Sequence, residues 1–235
     1  MYQNINKKKI GFKKIIKTAW DIYKNKFKTI LLIVLLFYFP IYSLVFAMKQ
    51  SFSNMEKLYI DTLNGLLEII FSVIVVMGIT YVVKEYINEN SIDFISAIKK
   101  AFSNWGKALW TEILSFIIII LLMMLLIIPG VIWMVYYTFI IQLVALRNKS
   151  GKKILDFSKD LVKGDWWRVT EIVFIRFFVN IGLTSLISYF PKNALINILA
   201  NTFINIIDGY FLVIIAVMCL NLYYIKYDIS KNEIV

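Results

Sequence analysis

The stretch LWTEILSFIIIILLMMLLIIPGVIWMVYYTFIIQLVAL, residues 109–146, decides which kind of fold this chain adopts. Its 38 residues carry one charged side chain, Glu112, and are interrupted only by Pro129-Gly130. At a rise of about 1.5 Å per residue, each half approaches the thickness of the hydrocarbon core of a bilayer, about 30 Å. We therefore predict two membrane crossings, with Pro129 and Gly130 forming the helix-hairpin turn between them.

The overall composition excludes a soluble fold. Hydrophobic residues make up 60% of the 235 residues, and the mean hydropathy is +0.73. A soluble domain usually contains about 45–50% apolar residues, so the excess must face lipid. The spans use up most of the chain, and we predict a single membrane domain over residues 1–235. The single cysteine, Cys219, excludes an internal disulfide.

Six apolar runs are long enough to cross a bilayer. They predict an all-α, polytopic membrane protein with a cytoplasmic amphipathic segment at 1–28. The expected spans are 29–48, 63–83, 109–128, 131–146, 169–190 and 203–225.

Positive charge is distributed unevenly between the two sides of this arrangement. With the N-terminus inside, the cytoplasmic side receives nine Lys in 1–28, four in 84–107, seven Lys or Arg in 147–168 and two in the C-terminal tail, or 22 of 26. Cytoplasmic loops retain positive charge, so both termini are expected in the cytoplasm, and the low-GC character of the composition suggests a bacterial plasma membrane. Clusters of this kind favour anionic lipid headgroups as partners and give no reason to expect nucleic acid.

Basic amphipathic segments precede three of the spans. Residues 12–27, 94–109 and 154–169 align without gaps, so that Lys17 and its counterparts at 99 and 159 coincide. Apolar side chains recur in them at helical spacing, which predicts helices lying in the headgroup layer. One interpretation is a three-fold repeat of an interfacial helix followed by a helical hairpin. The alternative is that any basic stretch followed by an apolar one resembles another.

Charged side chains within predicted spans are the natural candidates for a functional site, because burying them in lipid is costly. They are Glu68, Glu112, Glu171, Arg176 and Asp208. Arg176 lies about 12 Å from the inner end of its span, level with Glu112. This favours a structural pair that neutralises Arg176 over a proton or ion path.

Polar residues of the last span suggest a second arrangement. Asn201, Asn205 and Asp208 recur at helical spacing. They either line an outward-facing polar cleft or hold helices together by interhelical hydrogen bonds.

The chain contains no histidine, the commonest general base and metal ligand. Neither a phosphate-binding glycine loop nor cysteine pairs at metal-binding spacing occur in the sequence. We therefore expect a protein that is not an enzyme and that has no cofactor and no metal.

Three sequence segments resemble a known family. Residues 127–133, IIPGVIW, are followed by an aromatic span and then by 155–167 with Trp166-Trp167; Ala19-Trp20 opens the N-terminal match. This pattern resembles the membrane domain of bacterial glycerophosphoryl diester phosphodiesterases and related uncharacterised six-span proteins. The resemblance covers about residues 10–190 and implies the architecture, since catalysis in the two-part enzymes belongs to a separate soluble barrel.

These observations lead to three functional hypotheses. The first is a non-catalytic membrane protein of envelope or lipid homeostasis, or the membrane partner of another protein. A second is a small transporter, or the substrate-capturing subunit of one, with a hydrated pocket lined by Asp208, Asn205 and Arg176. The third is an immunity protein against a membrane-active peptide. A protein partner and a homo-oligomer are both compatible with the sequence.

Overall fold

The computed structural model describes residues 9–51, 54–187, 189 and 194–227. In these residues it contains nine α-helices and no strand. The helices are α1 Phe12–Asn25, α2 Phe27–Ser51, α3 Asn54–Ile87, α4 Phe94–Leu125, α5 Ile127–Tyr136, α6 Ile140–Arg147, α7 Lys152–Val162, α8 Trp166–Ile187 and α9 Ala194–Tyr227.

Six segments are long and apolar enough to cross a membrane. They are Phe27–Lys49, Tyr59–Ile87, Phe94–Leu125, Ile127–Arg147, Trp166–Ile187 and Leu195–Tyr227. The predicted all-α fold with six membrane-spanning helices is therefore confirmed, and the chain is a multi-pass membrane protein. Residues 188 and 190, at the end of the fifth predicted span, lie outside the described residues.

The turn between the third and fourth spans lies at Leu126, so its predicted position at Pro129 and Gly130 is wrong. Leu126 has an extended backbone (φ −156°, ψ 131°) and separates α4 from α5. Pro129 occupies the first turn of α5, where a helix does not need the missing backbone N–H. Gly130 permits close packing, because a Cβ there would lie 2.2 Å from Cγ of Met123 in α4.

The fourth span is a broken helix, whereas the sequence predicts one continuous helix over 131–146. α5 ends at Tyr136, residues 137–139 form a turn, and α6 begins at Ile140. Ser158 of α7 donates its hydroxyl hydrogen to the Tyr136 carbonyl (2.7 Å). An unpaired carbonyl in lipid costs several kcal/mol, so a side-chain donor of this kind stabilises the break. The sequence has no proline or glycine at the break that would mark it. The contact that stabilises the break comes from Ser158, in another helix.

Burial is concentrated in the second halves of α3 and α9, where every residue at 73–83 and 211–222 is buried. α1 and α7 both pack on α9. They bury the apolar stripes Ile15, Ala19 and Ile22 in α1 and Ile154, Leu155 and Leu161 in α7. By contrast, only 6% of the span in α8 is buried, which leaves most of that helix to lipid. The headgroup location of the amphipathic segments and the three-fold repeat stay predictions.

Candidate functional site

Arg176 of α8 and Asp208 of α9 form a double hydrogen bond. Nε of Arg176 donates to Oδ1 of Asp208 (2.7 Å) and Nη2 donates to Oδ2 (2.8 Å). Asn180 adds a third hydrogen bond from its Nδ2 to Oδ1 (3.0 Å). Bidentate pairs of this kind are among the strong hydrogen bonds of proteins. The neutralising pair expected for Arg176 is therefore present, but its partner is Asp208, and the expected pairing with Glu112 is wrong.

Asn205 does not join this pair. Its Nδ2 donates to the Tyr42 hydroxyl of α2 (2.7 Å) and to the Asn201 carbonyl one turn earlier in α9 (3.0 Å). The polar residues of α9 therefore serve two different interfaces, one with α8 and one with α2. For Asn205 the structure supports the helix-packing alternative rather than a polar cleft shared with Arg176.

A cavity of about 240 Å³ lies between α3, α4, the broken span, α8 and α9. Most of its wall is aliphatic, with Val76, Ile119 and Ile140 among the lining side chains. The lining residues with polar side-chain groups are Glu112, Ser115, Tyr137, Thr138, Gln142 and Arg176. Neither Asp208 nor Asn205 contributes to this wall. A few polar groups in an apolar concavity are typical of a small-molecule site.

Glu112 is the acidic side chain that lines this cavity without a counter-charge. Its carboxylate forms no ion pair with any residue that the structure describes. The backbone carbonyl of Glu112 accepts a hydrogen bond from the Ser115 hydroxyl (2.8 Å), which ties both residues to the same turn of α4. Arg176 lines the same cavity, but Asp208 already balances its charge.

Gln142 of α6 contributes a polar group that lacks a partner. The residue is 3% exposed, and its Oε1 makes no hydrogen bond to the described part of the chain. A buried polar atom without a partner costs about 1–3 kcal/mol. Sequence reasoning missed Gln142 because it considered charged side chains in the spans and the asparagines of α8 and α9. The signal was there, since Gln142 is an amide between Ile141 and Leu143 in an otherwise apolar run.

A second polar cluster joins the N-terminal segment to the start of α8. Asp165 accepts hydrogen bonds from Lys9 (2.6 Å) and Arg168 (2.7 Å). Arg168 also donates to the Ile10 carbonyl, and the Ile10 N–H donates to Oδ1 of Asn221 in α9 (3.3 Å). These contacts hold the segment before α1 against both α8 and α9.

Electrostatics favour the ionised form of Asp165 in that cluster. Burial alone raises the pKa of a carboxyl group. Here the hydrogen bonds and charges of Lys9 and Arg168 outweigh burial and hold the pKa of Asp165 below its ordinary value. The cluster is therefore a structural anchor in which two cations, Lys9 and Arg168, share one carboxylate and leave a net charge of +1.

Comparison with known proteins gives no relative. No protein-family model matches this chain, and neither a curated protein nor a solved structure does. The resemblance to the membrane domain of glycerophosphoryl diester phosphodiesterases thus stays a prediction. Within the described residues, no group of three or more His, Cys, Asp or Glu side chains could hold a metal ion. What the site offers chemically is hydrogen bonding and charge, supplied by Glu112, Gln142 and Arg176.

Proposed function

We propose that this protein is a small transporter, or the substrate-binding subunit of one, that takes a polar solute into the cavity beside Glu112 and Gln142. The observation that carries this proposal is the side chain of Glu112, which lines the cavity together with Gln142 and Arg176 and has no ion-pair partner in the described residues. Groups buried in this way are costly to the fold, and a bound solute would supply the partners that they lack.

The broken fourth span supports the same proposal. Discontinuous membrane helices are a recurring feature of solute-binding sites in transporters, because irregular backbone is tolerated where it lines a cavity. Tyr137 and Thr138 lie in the break between α5 and α6, and both line this cavity. The break thus coincides with the site, while the other described spans are continuous helices.

We assign the protein to the bacterial plasma membrane with both termini in the cytoplasm. The 22 of 26 basic residues that this topology leaves on one side support the assignment. Anionic headgroups on that side are the lipid partners that such charge favours.

Cysteine accessibility tests whether the cavity admits water and solutes. In a Cys219→Ser background, Thr138→Cys in reconstituted vesicles should react with a membrane-impermeant trimethylammonium methanethiosulfonate added from one side. Phe178→Cys is the matched control, because Phe178 is 62% exposed on α8 and is expected to face lipid. We expect the reagent to label the Thr138→Cys variant and to leave the Phe178→Cys variant unlabelled. A Thr138→Cys variant that stays unlabelled from both sides would overturn the proposal.

The substrate can then be sought in cells. Cells that express the parent protein are compared with cells that express Glu112→Gln, and their small solutes are quantified by mass spectrometry. A transporter should change the level of at least one polar solute, and the change should be absent from the variant. Identical solute profiles in the two strains would argue against transport.

A role in lipid homeostasis is the second candidate, and one observation favours it. An apolar groove of about 780 Å³ lies between α2 and α9, lined by Phe39, Ala200 and Phe203 among others. Such a groove suits an acyl chain. Ala200→Trp should fill it and reduce a specifically copurified lipid, as identified by mass spectrometry, whereas Leu186→Trp on exposed α8 should not. An unchanged lipid profile in Ala200→Trp would remove the support for this role.

A further inference from the structure

The charge balance of the cavity indicates what kind of ligand it takes. Arg176 and Asp208 compensate each other through two hydrogen bonds, so their pair is neutral as a unit. Glu112 has no such partner in the described chain. Among the lining residues Glu112 is therefore the one ionisable side chain without a counter-charge, and a cation in the cavity would stabilise its ionised form.

The hydrogen-bonding groups of the cavity point to the same ligand. Ser115 donates its hydroxyl hydrogen to the Glu112 carbonyl (2.8 Å), and Thr138 donates to the Met134 carbonyl (3.3 Å). With their hydrogens engaged, both hydroxyls offer acceptor lone pairs. The Glu112 carboxylate adds further acceptors to these two hydroxyls. The cavity therefore offers acceptors to a ligand with several N–H donors.

The volume of the cavity and its aliphatic side chains determine the size and the apolar part of the ligand. The volume of about 240 Å³ corresponds to the liquid share of about eight water molecules. Aliphatic side chains, including Val173, Leu212 and Ile215, form most of the rest of the lining. A ligand of about eight to ten non-hydrogen atoms, with an apolar body and one charged end, fits this combination.

We infer that the cavity binds a small primary ammonium ion with an apolar body, whose N–H groups donate to the Glu112 carboxylate. This inference rests on the proposed function, because it names the class of solute that the same cavity takes. The ammonium group supplies the positive charge and the hydrogen-bond donor that Glu112 lacks.

Radiolabelled phenethylammonium, an aryl-alkyl primary ammonium ion, is the probe for a binding test. The full-length protein in mild detergent is equilibrated with the probe across a dialysis membrane. We expect saturable binding that is at least about 10-fold weaker in Glu112→Gln, since hydrogen bonds to charged groups contribute strongly. The neutral isostere 2-phenylethanol should compete at least about 10-fold less well than unlabelled phenethylammonium.

Glu171→Gln is the matched control, because Glu171 lies exposed on α8 and does not line the cavity. It should bind the probe like the parent. Glu112→Asp keeps the charge, so it separates loss of charge from loss of fold, and it should retain more binding than Glu112→Gln. Thermal unfolding of each variant identifies any that does not fold.

Three outcomes would overturn the inference: no saturable binding, equal binding by Glu112→Gln and the parent, or equal competition by 2-phenylethanol. Labelling of Thr138→Cys in the same preparation separates this failure from failure of the proposed function. A labelled cavity that does not bind phenethylammonium overturns only the ammonium inference, and water alone then fills the site. A cavity that is neither labelled nor occupied overturns both.

Discussion

Arg176 of α8 donates two hydrogen bonds, of 2.7 and 2.8 Å, to the two carboxylate oxygens of Asp208 in α9, although 32 residues separate them in the chain. The side chain of Asp208 is 13% exposed. Because little solvent reaches the Asp208 carboxylate, its charge is balanced mainly by the direct contact with Arg176. Because an unpaired charge in this position is costly, the pair determines how the interface between α8 and α9 responds to substitution.

Removing one member of the pair should cost more than removing both. Asp208→Leu is expected to lower the free energy of unfolding by about 3 kcal/mol, because Arg176 is left charged and unpaired. Arg176→Met combined with Asp208→Leu should recover most of this loss. Unfolding in mild detergent measures both effects. Glu171→Leu, at an exposed position of α8, is the control and should change stability by less than about 0.5 kcal/mol. Equal losses in Asp208→Leu and the control would contradict a compensating pair.

Gly130→Ala should weaken the contact between α4 and α5. The added Cβ would lie 2.2 Å from Cγ of Met123 and 3.1 Å from its Cα and backbone N, so the helices must move apart. Overpacking of this kind costs about 1–3 kcal/mol, which unfolding in detergent would detect.

Gly182→Ala is the matched control for that substitution. No atom of the described residues lies within 4 Å of a Cβ built on Gly182 in α8, and alanine favours helix by about 1 kcal/mol over glycine. The control should therefore be neutral or stabilising. If both alanine variants behaved alike, close packing at Gly130 would not be the reason for its glycine.

The stabilising effect of Asp165 should depend on pH. Its pKa is below the ordinary value of 3.8, so the folded state binds this proton more weakly than the unfolded state does. The carboxylate therefore stabilises the fold fully above the unfolded pKa, and this contribution disappears as the pH falls through the folded value. Asp165→Asn should be less stable than the parent at about pH 7, and the difference should shrink below about pH 4.

Thermal unfolding over that pH range measures the difference for Asp165→Asn. Asp160→Asn serves as the control, because Asp160 is exposed and forms no ion pair with a described residue. It should leave the stability of the protein close to that of the parent. A stability difference for Asp165→Asn that stayed constant from neutral to acidic pH would show that its charge is not what matters.

Gln142→Leu should stabilise the protein. The substitution removes a buried amide oxygen that has no partner among the described residues, which we expect to raise the free energy of unfolding by about 1–2 kcal/mol. Asn221→Leu is the contrasting variant. Its Oδ1 accepts a hydrogen bond from Ile10, so its removal should destabilise by about 1–3 kcal/mol. Destabilisation of similar size in both variants would show that Gln142 has a partner.

The two residues that sequence analysis placed at the hairpin turn show where local patterns stop being informative. Proline and glycine mark unusual backbone positions, but several different positions are compatible with each of them. Pro129 is accommodated inside the first turn of α5, and the reversal occurs at Leu126. What Gly130 does depends on Met123, a residue of the opposing helix. The hairpin was predictable, whereas the exact residue of the turn was not.

The candidate site was predicted only in part for the same reason. Charged side chains in apolar runs are visible in the sequence, and Arg176, Asp208 and Glu112 were found in this way. Their grouping was not, because Arg176 pairs with Asp208 while Glu112 lines the cavity unpaired. A glutamine within an apolar run is visible in the sequence. The sequence does not show that its Oε1 is buried without a hydrogen-bond partner in the described part of the chain.

The sequence by itself determined the class of fold and the six spans. Backbone N–H and C=O groups must be paired within each segment that crosses lipid, so an apolar run of sufficient length has helix as its stable form. Only the tertiary structure decided which side chains meet. The partner of Arg176, the break after Tyr136 and the unpaired amide of Gln142 depend on how the helices rotate and pack against one another. That rotation is set by many weak contacts between distant segments, and no local pattern specifies it.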